Sequence, residues 1–158
     1  MSGAPSTPES PSPVWERATR NLVRELKEPR GSTEIYFPAP NICICRARGH
    51  YSLAQARMAP EAYDAQGSQT QPIASFNDWS GLTSYDSEAR KFLTIWTLSN
   101  ARRLGATQFL VSSRVVAMGI AAANLATKAI RLPLVSYTNR LEFESALDRA
   151  LQSAAPSR

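Results

Sequence analysis

From residue 34 onward, short β-rich runs alternate with helical segments, and this order restricts the fold more than any other feature of the sequence. The first two β-rich runs are separated only by residues 38–41, a connection short enough to join an antiparallel pair. Each later run follows a helical segment, as right-handed crossovers between parallel strands require. The order predicts an α/β fold with a mixed, mostly parallel sheet and one antiparallel edge. The predicted strands are residues 34–37, 42–48, 72–76, 107–112 and 132–137.

Helical segments fill the intervals between the predicted strands. Ser52 is the predicted N-cap of a short helix. Apolar residues recur at helical spacing over residues 89–104, and Gly105 is expected to end that helix as a left-handed cap. Asn139 begins the last helix, with Glu142 three residues on in a capping-box arrangement. A further helix, rich in small side chains, is predicted at residues 115–128, and loops at residues 66–71 and 77–81.

The first 30 residues precede this pattern and divide into two parts. Residues 1–13 are almost entirely Ser, Pro, Thr, Gly and Ala, a composition that predicts a disordered tail. Residues 14–30 are assigned to an extra N-terminal amphipathic helix running from residue 14 to 28, with an apolar stripe at Val14, Ala18, Leu22 and Leu26. Its basic face is interpreted as solvated rather than as a contact with membrane or nucleic acid. Residues 32–152 then form the main domain.

The composition fits one compact domain without a membrane span. With 158 residues, 43% of them hydrophobic and 20% charged, the chain can bury a core but is short for two domains. The most apolar run, residues 115–126, is too short to cross a bilayer, and no charged leader opens the chain. A soluble protein without membrane insertion is therefore expected. The net charge of +5 permits acidic partners but does not select one.

Residues that usually carry catalysis or hold metals are sparse. Cys43 and Cys45, the only cysteines, stand two apart on one predicted strand, which fits a buried pair in a reducing cytoplasm. The one histidine, His50, has no Gly-x-Ser-x-Gly elbow to serve, and with the two cysteines it lacks the second half of a zinc site. No glycine-rich phosphate loop is present. These observations predict a cytoplasmic protein that is not an enzyme and uses neither a cofactor nor a metal.

A short acidic turn at residues 85–88, with the sequence Tyr-Asp-Ser-Glu, precedes the helix at residues 89–104. A hydroxyl at a helix start serves either as a cap or as a place where a phosphate is added and a partner responds to it. Two aromatic residues lie close to this turn: Trp79 precedes it, and Tyr85 is its first residue. They are either the aromatic anchors of an interface or side chains that close the end of the sheet.

Several runs between residues 73 and 147 share the pattern of a known family. They are IASF at 73–76, WSGL at 79–82, YDSEA at 85–89, ARRLGA at 101–106, FLV at 109–111, YTN at 137–139 and ESAL at 144–147. Through these runs, residues 34–151 resemble the STAS domain family of bacterial anti-sigma-factor antagonists. They are also similar to the wider STAS and SEC14-like group.

The resemblance implies a small α/β domain without catalysis that binds a protein partner, namely an anti-sigma factor, a kinase or a larger signalling assembly. In the family, the serine after the Asp of the corresponding turn is phosphorylated by a partner kinase, and Ser87 holds that position. The implied partner surface is the loop at residues 77–88 with the helix that follows it. Its contact residues are Asp78, Trp79, Tyr85, Asp86, Ser87 and Glu88, with Ser87 as the phosphorylation candidate.

Two alternatives of other classes remain open. The SEC14-like similarity implies a module that holds a small apolar ligand or lipid between the sheet and the helix at residues 115–128. A nucleic-acid partner is ranked last because the basic residues it would use have acids interspersed along the chain. Those residues are Arg46, Arg48, Arg102 and Arg103, together with the basic residues of the predicted first helix. Self-association is left open.

Overall fold

One sheet of six strands, β1-β2-β3-β4-β5-β6 in sequence order, passes through residues 11–67 and 71–155, the part of the chain that the computed structural model describes. The strands are β1 (Leu22–Glu28), β2 (Gly31–Ala39), β3 (Ile42–Tyr51), β4 (Ile73–Tyr85), β5 (Leu104–Val111) and β6 (Leu134–Tyr137). The α-helices are α1 (Pro13–Ala18), α2 (Leu53–Ala56), α3 (Met58–Gln66), α4 (Ser87–Ser99), α5 (Arg114–Thr127) and α6 (Arg140–Ala154). Short 3₁₀ turns follow α4 at Ala101–Arg103 and α5 at Lys128–Ile130.

The sheet is mixed, as the alternation of elements predicts. Strands β3 to β6 are parallel, whereas β1, β2 and β3 pair antiparallel. Glycine is required where the β1–β2 turn approaches β3. A Cβ on Gly31 would lie 2.2 Å from the His50 carbonyl oxygen, and Gly49 has a φ of +73°, which only glycine adopts without strain.

Alternating side chains give the two faces of the sheet different helical covers. Ile42 and Ile44 of β3 point to the side covered by α1 and α6, where they pack in one cluster with Phe143. Cys43 and Cys45 point to the opposite side and pack beneath α3. Helices α2, α4 and α5 complete that second layer. We call these two sides the α6 face and the α5 face.

Local capping chemistry begins the helices where the sequence predicts it. Ser52 Oγ accepts a hydrogen bond from the Gln55 N–H at 3.2 Å, and Asn139 Oδ1 accepts one from the Glu142 N–H at 3.2 Å. Both predicted caps are confirmed. Ser113 also caps α5, the helix predicted at residues 115–128, by accepting from the N–H of its third residue at 3.4 Å.

The prediction of one helix over residues 14–28, and of an N-terminal helical unit at 14–30, is wrong in its extent. Helix α1 ends at Ala18, and Leu22–Glu28 is β1, paired antiparallel with β2. Leu22 and Leu26 are four residues apart, a spacing that keeps side chains on one face of either a helix or a strand. The segment forms a strand because it pairs with β2, and this pairing places Leu26 against the core. The sheet thus begins before residue 32, and residues 1–10 of the predicted tail lie outside the described residues.

The fourth strand is longer than predicted, and it replaces most of the expected loop. Strand β4 continues from Ile73 through Tyr85, so residues 77–81 belong to the sheet. The predicted left-handed cap at Gly105 is also wrong: α4 ends at Ser99, and Gly105 lies inside β5 without a positive φ. Of the predicted loop at 66–71, residues 68–70 lie outside the described residues.

Candidate functional site

A cavity of about 120 Å³ lies between the α5 face of the sheet and helices α3, α4 and α5. Its lining is mainly apolar and aromatic and includes Trp79, Tyr85 and Phe109 from the sheet, Leu93 from α4, and Ile120 and Ala123 from α5. Small-molecule sites in proteins are typically preformed, apolar spaces of this kind with a few polar groups. The cavity occupies the space that the ligand-binding alternative requires, between the sheet and α5.

Trp79 stands at the centre of an aromatic wall of the cavity. Its ring centroid lies 5.2 Å from that of Tyr51 and 4.8 Å from that of Phe109. The Trp79 Nε1 atom is buried and has no hydrogen-bond partner of good geometry among the described residues. The nearby Cys45 sulfur is only a weak acceptor. The Trp79 N–H therefore has only a weak partner among the described residues, and Trp79 contributes to the cavity as a lining residue.

The two cysteines are free thiols buried on the same side of the sheet. Burial raises the pKa of Cys45 to about 12, although the Trp79 N–H acts in the opposite direction. Burial also raises the pKa of Cys43 far above its ordinary value, and the neighbouring Cys45 adds to the effect. Thiols in such surroundings stay protonated at neutral pH and are poor nucleophiles and metal ligands. They form part of the apolar packing beneath the cavity.

Tyr85 lies against α5 and lines the cavity with Trp79. A Cβ added to Gly119 would come within 2.8 Å of the Tyr85 hydroxyl oxygen, so Gly119 provides the room that the phenol ring occupies. Both aromatic residues that the sequence offers as anchors for a macromolecular partner therefore contribute to the wall of an internal space.

Asp78 lies on the opposite side of the sheet, the α6 face, where it is buried. Its carboxylate accepts from Arg140 Nη2 at 3.0 Å and from the backbone and hydroxyl of Ser80 at 3.2 and 2.6 Å. Arg140 also reaches Glu144 at 3.3 Å and stacks on the ring of Trp15 at 5.7 Å. Burial lowers the pKa of Arg140, but the charges and hydrogen bonds of Asp78 and Glu144 together outweigh it, and the net pKa is raised. Asp78 thus fastens α6 to the sheet and is not presented to solvent.

The other three predicted contact residues lie together at the start of α4. Asp86, Ser87 and Glu88 are exposed, and Ser87 is the first residue of the helix. Asp86 holds the N-cap position, but its side chain makes no capping hydrogen bond. Glu88 forms an exposed ion pair with Lys91 at 3.5 Å. The Ser87 hydroxyl therefore faces solvent just beyond the carboxyl end of β4.

His50 joins the carboxyl ends of β3 and β4. Its Nδ1 lies 2.7 Å from Ser84 Oγ, and its Nε2 lies 2.7 Å from Asp86 Oδ1. Ser84 and Asp86 are two residues apart, so their side chains lie on the same side of the chain at the end of β4. His50 comes from the neighbouring strand, β3. The sequence does not reveal this Ser-His-Asp string because its members meet only in the fold. None of the three lines the cavity described above, and their evident effect is to fix Asp86 beside the start of α4.

A second polar network supports the same edge of the sheet. Glu28, at the end of β1, accepts from the Ser52 hydroxyl and from Gln55 Nε2, the latter at 2.9 Å. The Gln55 amide also donates to the His50 carbonyl at 2.9 Å and accepts from the Thr33 hydroxyl at 2.8 Å. The hydrogen bond from Ser52, followed by that from Gln55, lowers the pKa of Glu28. An ionised carboxylate thus ties β1 to the start of α2.

Two further observations concern metals and membranes. In residues 11–67 and 71–155, no three His, Cys, Asp or Glu side chains are grouped so that they could hold a metal ion. Within those ranges, no helix has both the length and the apolar character needed to cross a bilayer. The cavity and the start of α4 are the places where the residues predicted for ligand or partner contact lie among the described residues.

The mixed sheet, its two helical layers and the order of its elements define a STAS-like α/β domain. A solved structure with this fold is similar to the chain: an uncharacterized protein of the DUF3478 family from Shewanella loihica PV-4, which has a SpoIIAA-like fold. The similarity covers 82% of this chain and 99% of that one, with a TM-score of 0.52 and 12% sequence identity. The STAS-like fold implied by the sequence is thereby confirmed. No protein-family profile matches the sequence, and no curated protein matches it.

Proposed function

We propose that this protein is a non-enzymatic binding module that holds a small, mainly apolar ligand between its sheet and helices α3, α4 and α5. The observation that carries the proposal is the preformed, mainly apolar and aromatic cavity on the α5 face. A dry apolar cavity of about 150 Å³ is known to take benzene. A space of about 120 Å³ therefore suits a single small ring or a short branched chain.

A charged group indicates the chemistry of the ligand. Arg90 of α4 is the charged side chain in the lining formed by the described residues. A guanidinium binds carboxylates strongly, often through two parallel hydrogen bonds. The proposed ligand class is thus a small apolar carboxylic acid, or the apolar end of a larger amphiphile.

Two alanines on one helix allow a matched test. Ala123 lines the cavity, whereas Ala122, its neighbour on α5, is exposed. The purified protein is titrated with benzoate and with benzyl alcohol, and binding is followed by amide NMR shifts and calorimetry. We expect Ala122→Phe to bind benzoate as the wild type does. Ala123→Phe fills the cavity and should bind it at least about tenfold more weakly.

The role of charge is tested separately. Arg90→Gln is expected to weaken binding of benzoate more than binding of benzyl alcohol, since only benzoate carries a charge. The proposal is wrong if neither probe shifts amides around the cavity, or if Ala123→Phe binds benzoate as tightly as Ala122→Phe does.

A second candidate function is a protein-binding switch at Ser87, as the family resemblance implies. It is supported by the exposure of Asp86, Ser87 and Glu88 at the first turn of a 13-residue helix. A phosphate on Ser87 adds about −1.5 to −2 charges beside two carboxylates. The helix dipole offsets only about 1 kcal/mol of the resulting repulsion. A partner that presents an apolar or acidic surface there would bind much more weakly after modification.

Affinity capture from the native source tests the switch. The wild type is compared with Ser87→Ala and Ser87→Asp, and with Ser145→Asp on exposed α6 surface as a matched charge control. The expected partner is an anti-sigma factor, a kinase or a component of a signalling complex, retained by Ser87→Ala and lost by Ser87→Asp. Equal recovery of the same proteins by all four forms would leave the serine with no switching role.

A further inference from the structure

The outer side of α5 is apolar and uncovered. Val115, Met118, Ala122 and Leu125 recur at helical spacing and are all exposed, with Met118 and Leu125 at 72% and 76%. Their inward counterparts, Val116 and Ile120, are buried against the sheet. A helix with apolar residues both inside and outside is unusual for an isolated soluble domain, and such outer patches mark interaction surfaces.

The neighbouring helix extends this surface. Helix α4 packs beside α5 in the same layer, and its outer side exposes Ile95 and Leu98. We call the exposed apolar residues of both helices the outer patch; its members are Ile95, Leu98, Val115, Met118, Ala122 and Leu125.

Basic residues border the outer patch at both ends of each helix. Lys91 lies in the second turn of α4 and Arg102 lies just beyond its end. Arg114 begins α5, Lys128 follows its last residue, and Arg131 comes three residues later. All five are exposed, and among the ion pairs of the described residues only that of Lys91 with Glu88 involves any of them.

The charge pattern of the sequence is concentrated in the same region. Residues 89–141 contain eight Lys or Arg residues and no Asp or Glu, although the whole chain has 13 acids and a net charge of only +5. Three of the eight, Lys91, Arg103 and Arg140, pair with acids from outside the segment, namely Glu88, Asp64 and Asp78. The outer patch therefore sits in a region whose own sequence supplies positive charge without any negative charge.

We infer that the outer patch of α4 and α5 binds the surface of a membrane that contains anionic lipid. Apolar side chains in the centre with Lys and Arg around them are what the boundary between headgroups and acyl chains accepts. A second copy of the chain fits less well, because two surfaces bordered mainly by Lys and Arg would face each other. This inference is independent of whether the cavity holds a ligand.

Vesicle flotation tests the inference with the full chain. The probes are phosphatidylcholine vesicles with and without phosphatidylserine. We expect the wild type to float with the anionic vesicles and to bind the neutral ones at least about tenfold more weakly. Each basic residue near an anionic surface contributes about fivefold to binding. Arg114→Gln with Lys128→Gln is therefore expected to lose about twenty-fivefold, whereas Arg149→Gln, on exposed α6 surface, should change little.

The contribution of the apolar side chains to vesicle binding is tested with a second set of matched variants. Met118→Asp with Leu125→Asp should abolish flotation, while Leu141→Asp, 63% exposed at the start of α6, should not affect it. All of these positions are exposed, so the variants should keep the wild-type circular dichroism spectrum and melting temperature.

Three results would overturn the inference. The first is absence of wild-type binding to anionic vesicles, and the second is equal loss with Leu141→Asp. The third comes from analytical ultracentrifugation: a wild-type dimer that Met118→Asp converts to a monomer would assign the outer patch to self-association. Binding of benzoate in solution without vesicles is measured separately, so failure of either proposal is recognised independently of the other.

Discussion

Replacing Asp78 with alanine should destabilise the protein severely, although the sequence alone suggests a surface contact residue at this position. The side chain of Asp78 is 5% exposed, and its Oδ2 accepts a hydrogen bond from Arg140 Nη2 at 3.0 Å. Removing one partner of a buried ion pair costs about 3–5 kcal/mol, because the remaining charge is left buried. Arg140 is 20% exposed and keeps Glu144 at 3.3 Å, so the lower end of that range, about 3 kcal/mol, is expected.

A second aspartate provides the control for burial. Asp64 forms an ion pair with Arg103 at the same distance of 3.0 Å, but its side chain is 67% exposed. Asp64→Ala should therefore cost below about 1 kcal/mol. Unfolding free energies come from urea titrations followed by far-ultraviolet circular dichroism, with the slopes compared to confirm two-state behaviour.

A double variant separates the ion pair from the rest of the site. Asp78→Ala combined with Arg140→Leu should cost clearly less than the sum of the two single changes, because no unpaired charge remains. If the free energies of unfolding of Asp78→Ala and Asp64→Ala differ by less than about 0.5 kcal/mol, the ion pair does not fasten α6 to the sheet. Asp78 would then again be a candidate for partner contact.

Three further predictions concern the same framework. Gly49→Ala should lose at least about 1 kcal/mol more stability than Gly67→Ala in urea titrations, because both positions have positive φ but only at Gly49 would a Cβ meet a backbone carbonyl, at 2.3 Å. Cys43 and Cys45 should react with Ellman's reagent at least about a hundredfold faster in urea than in the folded protein at mildly alkaline pH; equal rates would contradict their burial. Glu28→Gln should be less stable than the wild type at neutral pH, and the difference should shrink as the pH falls below 4.5, since a carboxyl whose folded pKa is lowered stabilises only while ionised. A difference that does not change with pH would show that the Glu28 charge does not contribute.

Features encoded within a few residues could be predicted from the sequence. The Ser52 and Asn139 caps depend on a side chain and a backbone N–H three residues away, and both are present. The order of strands and helices after residue 34 likewise follows from local periodicity. The placement of Ser87 at the first position of α4 belongs to the same category, because it depends only on where the helix begins.

Features that depend on distant residues could not be predicted in this way. Residues 77–81 read as a polar loop because Asn77 and Asp78 are polar, yet both are buried in β4 with partners from other elements. Arg140, the partner of Asp78, lies 62 residues further along the chain. Missing the strand also hid the place of Trp79 in the cavity wall, since only the alternation of β4 places Trp79 on the same side of the sheet as Ile73.

The two helices that begin after β4 and β5 connect the proposed activities physically. Helices α4 and α5 cover the cavity on their inner side and carry the outer patch on the other, so a bilayer bound to the patch would lie one helix layer away from the ligand. Ser87 begins α4 one turn before Lys91, so a phosphate added there would oppose attraction to anionic lipid as well as to an acidic partner. If the outer patch binds lipid as proposed, such control by Ser87 would require no movement of the sheet, because the charge change and the proposed lipid-facing surface lie on the same helix.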